Sequence, residues 1–165
     1  MPVHKSKVRG FSLIELLIVV AIILIIAAIA IPNLLRSKMA ANEASAVASL
    51  RTYNTAIVSY QTTYGTDPST NMAQLGPSAT PSSAAADLVD SLLGAAAPNK
   101  SGYVFTYTPT APSGGATAVT QYTLVAAPQS YNVTGQRNFF TDQSGVIRQS
   151  TSSTQSDVNS TPIGN

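Results

Sequence analysis

The chain has 165 residues, 44% of them hydrophobic and only 10% charged, with a formal net charge of +2. That length suits one modest domain with extensions. With no cysteine and a single histidine, His4, a disulfide framework is excluded, and the usual neutral-pH bases, thiol nucleophiles and soft metal ligands are nearly absent.

The positive charge is concentrated at the start. Lys5, Lys7 and Arg9 precede Gly10, and after them six Lys and Arg face seven Asp and Glu. No basic stripe remains downstream, which argues against nucleic acid as a partner. From Phe11 to Ile31 the chain reads FSLIELLIVVAIILIIAAIAI, with Glu15 its only charge. As a helix this stretch is about 31 Å long, enough for a hydrocarbon core of ~30 Å. The basic N-terminus predicts a cytoplasmic start, with everything after Ile31 beyond the membrane. A carboxylate at mid-depth in a membrane helix costs about 2.5–3.5 kcal/mol, less near the interface. Glu15 therefore requires a partner.

Two plain readings leave residues unexplained. A secretory signal could end at Ala28-Ile-Ala30, but Glu15 would lie inside its apolar region, which exceeds the usual ~7–15 residues. A permanent anchor accounts for length and flanking charge, yet makes the Gly10-Phe11 junction and Glu15 accidents. Lys7-Val-Arg-Gly10 followed by Phe11-Ser-Leu-Ile-Glu15-Leu-Leu-Ile-Val-Val20 resembles the processing motif of type IV prepilins and pseudopilins. The resemblance is close over the N-terminal helix and only general beyond it.

That resemblance implies cleavage between Gly10 and Phe11 by a membrane prepilin peptidase, N-methylation of Phe11 by the same enzyme, and a role for Glu15 in filament assembly. It implies a single-pass inner-membrane precursor that becomes a structural subunit of a type IV pilus. The partners would be further copies of the chain, the peptidase, an assembly platform with its ATPase, and an outer-membrane secretin. The alternative is a pseudopilin of a type II secretion system, in a periplasmic filament. A DNA-uptake or adhesion minor pilin is a third reading, with Lys100, Arg137 and Arg148 too scattered to support it. Many type IVa pilins carry a C-terminal disulfide loop, and this cysteine-free chain departs from that pattern.

Pro32 follows the apolar run, where a helix interior loses a hydrogen bond and meets a steric clash. Helical spacing nevertheless resumes through Leu35, Met39, Ala46, Leu50, Tyr53, Ile57, Tyr60 and Tyr64, and Gly65 supplies a stop. The pattern predicts one helix from Phe11 to about Tyr64, bent near Pro32 and amphipathic in its second half. Tyr53, Tyr60 and Tyr64 could suggest an electron path, but aromatics at this spacing point first to a core.

From Thr66 to Lys100 the composition turns to Ser, Thr, Ala, Pro and Gly, with one helical turn expected at Asn71–Leu75. Ala84–Leu93 reads as a short helix with Leu88, Leu92 and Val89 inward, ended by Gly94. Asp87 and Asp90 would share its solvated face. Period-two alternation then predicts strands at Tyr103–Thr108, Val119–Ala126 and Asn138–Thr141. Pro109 to Gly115 reads as a turn-rich connection, and Asp142-Gln-Ser-Gly145 as a hairpin turn into Val146-Ile-Arg148. Asp142 there suggests a calcium loop only weakly.

The expected fold class is α+β: a long N-terminal helix packed on an antiparallel sheet of three to four strands, the pilin fold. The expected divisions are a leader at 1–10, a membrane helix at 11–32, an amphipathic half at 33–65, a loop and sheet at 66–148, and a disordered tail at 149–165. No phosphate loop, metalloprotease motif or nucleophile elbow occurs. The sequence thus predicts no enzyme, no cofactor and no metal site.

Overall fold

A computed structural model describes residues 10–68, 70–110, 118–152 and 156–164. The leader residues 1–9 and most of the connection expected at Pro109–Gly115 lie outside them. One helix, α1, runs over Leu13–Tyr64 and contains Pro32. The chain divides into two compact units between Ser37 and Lys38. In the first unit α1 is apolar all round from Leu16 to Pro32, and large side chains from Phe11 to Leu35 are exposed.

In the second unit the helix is amphipathic. Ala46, Leu50, Tyr53, Ile57 and Tyr60 are buried, while Arg51, Thr55 and Val58 on the opposite side face solvent. A six-stranded antiparallel sheet in simple sequential order accompanies it. Its strands are β1 (Asn99–Lys100), β2 (Tyr103–Thr110), β3 (Gln121–Pro128), β4 (Asn138–Asp142), β5 (Arg148–Ser150) and β6 (Thr161–Pro162). The fold class is α+β, as the patterning predicts, with two very short edge strands added to the expected sheet.

Alternation sets which side chains meet α1. Tyr103 and Phe105 of β2 and Tyr122, Leu124 and Ala126 of β3 join the core cluster with the helix stripe. In β4 the alternation fails, because Phe139 and Phe140 are both buried, on opposite faces. Tyr53 packs on Phe105 with ring centroids 5.6 Å apart, and Tyr103 on Phe139 at 5.9 Å, within the range of favourable aromatic pairs.

The core tyrosines also bind the irregular segments. Tyr53 donates to the Leu93 carbonyl and Tyr60 to that of Ser83, both at 2.7 Å. Tyr103 donates to Arg137 and Tyr107 to Pro68, both at 2.8 Å. Each hydroxyl satisfies a loop carbonyl that no strand could reach. Tyr53, Tyr60 and Tyr103 are buried core residues and Tyr107 packs against them, as the spacing predicts.

Three expectations are corrected. Ala84–Leu93 forms no helix; it is a bridged turn, Ser82 with Ala85, followed by turns through Gly94. Val89 and Leu93 are buried and Leu88 half-buried, whereas Leu92 is exposed. The backbone N–H groups of Ala86, Asp87 and Leu88 donate to Gln74, Gly76 and Leu75, so tertiary pairing replaces helical bonds. The Asn71–Leu75 turn does form, as a 3-10 helix over Met72–Leu75 capped by the Asn71 side chain.

The strand expected at Val146 begins instead at Arg148. The tail beyond Gln149 is also not uniformly disordered. β6 pairs with β5, Ser156 is buried with its hydroxyl on the Asn138 carbonyl, and Ile163 packs against the core. Composition pointed to disorder because the tail is poor in apolar residues. Backbone pairing needs none.

Two glycines permit close approach. A Cβ on Gly94 would lie 2.3 Å from the Gly76 Cα, and one on Gly135 would lie 2.1 Å from the Tyr103 hydroxyl oxygen. Gly94→Ala should therefore push two backbones apart and cost about 1–3 kcal/mol, measured by chemical unfolding of the detergent-solubilised chain.

Burial raises the ionisation of Tyr53, Tyr103 and Tyr107 well above the ordinary tyrosine value, and that of Tyr122 to about 12. The folded state keeps these protons where the unfolded chain loses them. Their contribution is complete below pH 10 and is lost as pH rises from there through 12. Unfolding midpoints measured across that window should fall steeply. A flat profile would show the hydroxyls to be solvated.

Candidate functional site

The sequence places every candidate site residue on or just before the first unit of α1, and the structure gives each a distinct setting. Gly10 is exposed, and a Cβ built on it would meet nothing within 4 Å. Its backbone is not in the left-handed region that favours glycine. Nothing among the described residues therefore requires glycine at this position. Phe11, next to it, is 75% exposed.

Ser12 begins the helix and Glu15 closes its first turn. The Glu15 carboxylate accepts the Ser12 backbone N–H at 2.8 Å through Oε2. This is one half of a capping box, in which the acidic residue at the third helical position satisfies an N–H that the helix leaves open. The negative charge also suits the positive end of the helix dipole. The S-x-x-E spacing is legible in the sequence, and weighing Glu15 only for its charge and its assembly role leaves the cap unread. Glu15 is exposed, and its other oxygen has no partner among the described residues.

Beyond Glu15 the helix offers only apolar side chains until Asn33, and no charge until Arg36. This is the one described helix long and apolar enough to cross a membrane, with a mean hydropathy of 3.3 in its most apolar window and none of that window buried. Pro32 lies inside the helix rather than at its end. The helix is continuous there.

Of the other carboxylates, Glu43, Asp90 and Asp142 are engaged within the fold. Glu43, unremarked by sequence reasoning, is only 7% exposed on α1. Its Oε1 accepts the backbone N–H groups of Gln136 and Arg137 at 2.8 and 3.2 Å, and its Oε2 pairs with Arg137 Nε at 2.8 Å. Arg137 Nη1 in turn donates to Gln149 Oε1 at 2.7 Å. No local motif announces this network, because its members are brought together only by the fold.

Asp90 accepts the N–H groups of Leu92 and Leu93 and pairs with Lys100 at 3.1 Å. The Leu93 N–H and the lysine hold its carboxyl below the usual range. Asp142 accepts the Ser144 N–H within its turn. Asp67 is buried, and burial raises its ionisation. Asp87 and Asp90 do not share a helix face, since no helix forms there. Among the described residues no group of three potential metal ligands occurs.

Glu43→Ala would strand two loop N–H groups and one guanidinium face. It should cost about 1–3 kcal/mol, measured as a loss in unfolding free energy, while membrane insertion of the chain stays unchanged. An unaltered unfolding curve would show that the network contributes nothing.

Comparison with known proteins agrees with this placement. The family described as the prokaryotic N-terminal methylation motif matches residues 5–31. Over 35 residues the chain is 63% identical to the type IV wide pilus major component PilA4 of Thermus thermophilus. That stretch covers 21% of this chain and 27% of the relative, so the likeness is confined to about a quarter of each. No solved structure matches the chain.

Proposed function

We propose that this chain, which belongs to the type IV pilin family, polymerises into a type IV pilus on the cell surface after losing its first ten residues. The observation that carries the reading is the helix from Leu13 to Leu35. From Leu16 to Pro32 it is apolar on every side with its large side chains exposed, and one carboxylate marks its start. A fold that buries Leu50, Tyr53 and Tyr60 yet leaves such a segment open has another environment for it. Lipid supplies that environment before assembly, and the same helices of neighbouring copies supply it afterwards. Heterologous contacts that do not close give an open filament.

Gly10 fits a peptidase that approaches the backbone closely. Its glycine has no intramolecular purpose, so the requirement comes from outside the fold. In this reading the peptidase cuts between Gly10 and Phe11 on the cytoplasmic face and methylates the new amine of Phe11. Residues 11–32 form the membrane and assembly helix, residues 33–65 its amphipathic continuation, and the remainder the globular surface. Pro32 makes a weak point, since proline costs about 3 kcal/mol in a helix interior.

After cleavage the amine of Phe11 is positive near neutral pH, with an unperturbed pKa of about 7.7–8.0. Glu15 lies about 6 Å along the axis from it. If the amine of an incoming subunit meets a neighbour's Glu15, both charges are neutralised in an apolar setting and the axial step between subunits is fixed. A misregistered pair leaves two bare charges, at a cost of several kcal/mol. The free oxygen of Glu15 leaves room for this contact without giving up the Ser12 cap.

A pseudopilin of a type II secretion system would share the same helix and processing. The Ser/Thr-rich C-terminal region favours the surface pilus, because the major pseudopilin resembles a chain with an acidic calcium loop there. Filaments sheared from cells and probed for this chain distinguish the two: a purely periplasmic pool would overturn the pilus reading. The platform, ATPase and secretin belong to the same proposal.

Glu15→Val should insert and be cleaved yet yield few filaments, whereas Gly10→Val should leave the precursor uncut. Abundant filaments from a chain carrying only Glu15→Val would refute the pairing, and normal processing of Gly10→Val would show the glycine to be incidental. Intact mass of the native protein reads both the cleavage site and the methyl group.

A further inference from the structure

The sequence contains three Asn-x-Ser/Thr tripeptides, Asn99-Lys-Ser101, Asn132-Val-Thr134 and Asn159-Ser-Thr161. This is the acceptor pattern for attachment of a glycan to the asparagine carboxamide. In a chain so rich in Ser and Thr, the pattern alone selects nothing. The fold separates the three. All three asparagines are exposed, so the hydroxyl two residues on decides.

In the first tripeptide the Ser101 hydroxyl is bonded to that of Ser45 at 2.9 Å. In the second, the Thr134 hydroxyl donates to the Ser130 carbonyl and accepts its N–H, both at 3.1 Å. Both hydroxyls are already committed to holding the fold. In the third, Thr161 is exposed on β6 and its hydroxyl has no hydrogen bond among the described residues. The Asn159 carboxamide is equally unengaged there.

The surroundings of Asn159 add a second observation. Asp157 fixes the turn before β6 by accepting the Asn159 N–H at 2.9 Å through its carboxylate and the Ser160 N–H at 3.0 Å through its carbonyl. The turn thus presents Asn159 and Thr161 on one groove of about 310 Å³, lined by Gln149, Ser150, Thr151, Asn159, Ser160 and Thr161. Every lining side chain is a neutral hydroxyl or amide. Such a lining donates and accepts hydrogen bonds without charge, which suits the hydroxyls of a sugar ring.

We propose that Asn159 is an N-glycosylation site, with the groove between β5 and β6 receiving the first sugar of the glycan. The donor is a sugar joined through its anomeric carbon to a phosphate leaving group. The Asn159 Nδ2 forms a bond to that carbon and gives up one proton. The carbon–oxygen bond to phosphate breaks, and the phosphate departs with the electron pair. No oxidant or reductant is needed.

The site also has a structural consequence. Among the described residues β6 is the last strand of the sheet, and its outer edge is unpaired. A strand of two residues with Pro162 lacking an N–H already makes that edge a poor template. A glycan one turn before it would cover the edge against pairing with another chain.

The proposal rests on export of this part of the chain across the membrane, as the pilus reading requires. The experiment is peptide mapping and intact mass of the protein purified from its native cells, wild type beside Asn159→Gln, Thr161→Ser, Thr161→Ala, Asn99→Gln and Asn132→Gln. The expected result is a sugar mass on the peptide containing Asn159. It should be lost in Asn159→Gln and Thr161→Ala, kept in Thr161→Ser, and unchanged in the other two. A wild-type chain that begins at Phe11 but carries no sugar at Asn159 overturns the proposal. So does a sugar that survives Asn159→Gln, or one released by alkaline β-elimination from a serine or threonine. Failure of the pilus reading shows separately, as a chain that retains residues before Phe11.

Discussion

The stripe Ala46, Leu50, Tyr53, Ile57 and Tyr60 on α1 is the surface on which the second unit is built. A helix with that stripe exposed would place two tyrosine rings and two aliphatic side chains in water, at about 1.5–3 kcal/mol for each large side chain. The chain has no cysteine with which to staple a small domain. Burial of the stripe, supplemented by hydrogen bonds, must therefore hold the sheet and the long irregular loop. Tyrosine suits that double demand. Its ring fills the core, and its hydroxyl reaches a carbonyl of a segment that forms no regular structure, as Tyr53 does at Leu93 and Tyr60 at Ser83.

The two glutamates of α1 show how one residue type serves two settings on one helix. Glu43 is enclosed and fully engaged, with two backbone N–H groups and a guanidinium around its carboxylate. Its desolvation is offset by charge-assisted bonds, the condition under which a buried carboxylate is tolerable. Glu15 is exposed and, among the described residues, engaged through one oxygen only, at a helix terminus where a negative charge is favoured. That cap gives Glu15 a local reason to exist, and it lowers the cost of holding a carboxylate next to lipid. The cap uses one carboxylate oxygen, so it is compatible with the intersubunit pairing proposed for Glu15.

The glycines divide along the same line between internal and external purpose. Gly76 and Gly94 pass so close that any side chain on Gly94 would strike backbone, and the loop over Met72–Leu93 depends on that approach. Gly10 stands in open space with an ordinary backbone conformation. Where the described fold has no use for a glycine, an outside agent that needs the bare backbone is one physical reason for it. This is why the intramolecular indifference of Gly10 supports the processing reading.

The sequence by itself determined the features that depend on local periodicity and local charge. The apolar run with its lone Glu15, the helical spacing from Ala46 to Tyr64, and the alternation Tyr103, Phe105, Tyr107 all follow from side-chain placement along a single element. The helix, the main strands and the family motif were legible for that reason. Only the tertiary structure decided what depends on partners far apart in the chain. Glu43 meets Arg137 across the fold, the N–H groups of Ala86 to Leu88 find carbonyls between Gln74 and Gly76 instead of completing a helix, and a tail poor in apolar residues becomes a strand because β5 offers it an edge. Backbone hydrogen bonding is the same for every residue except proline, so composition does not report it. Whether such a group finds its partner within the segment or across the molecule is settled only when the chain has folded.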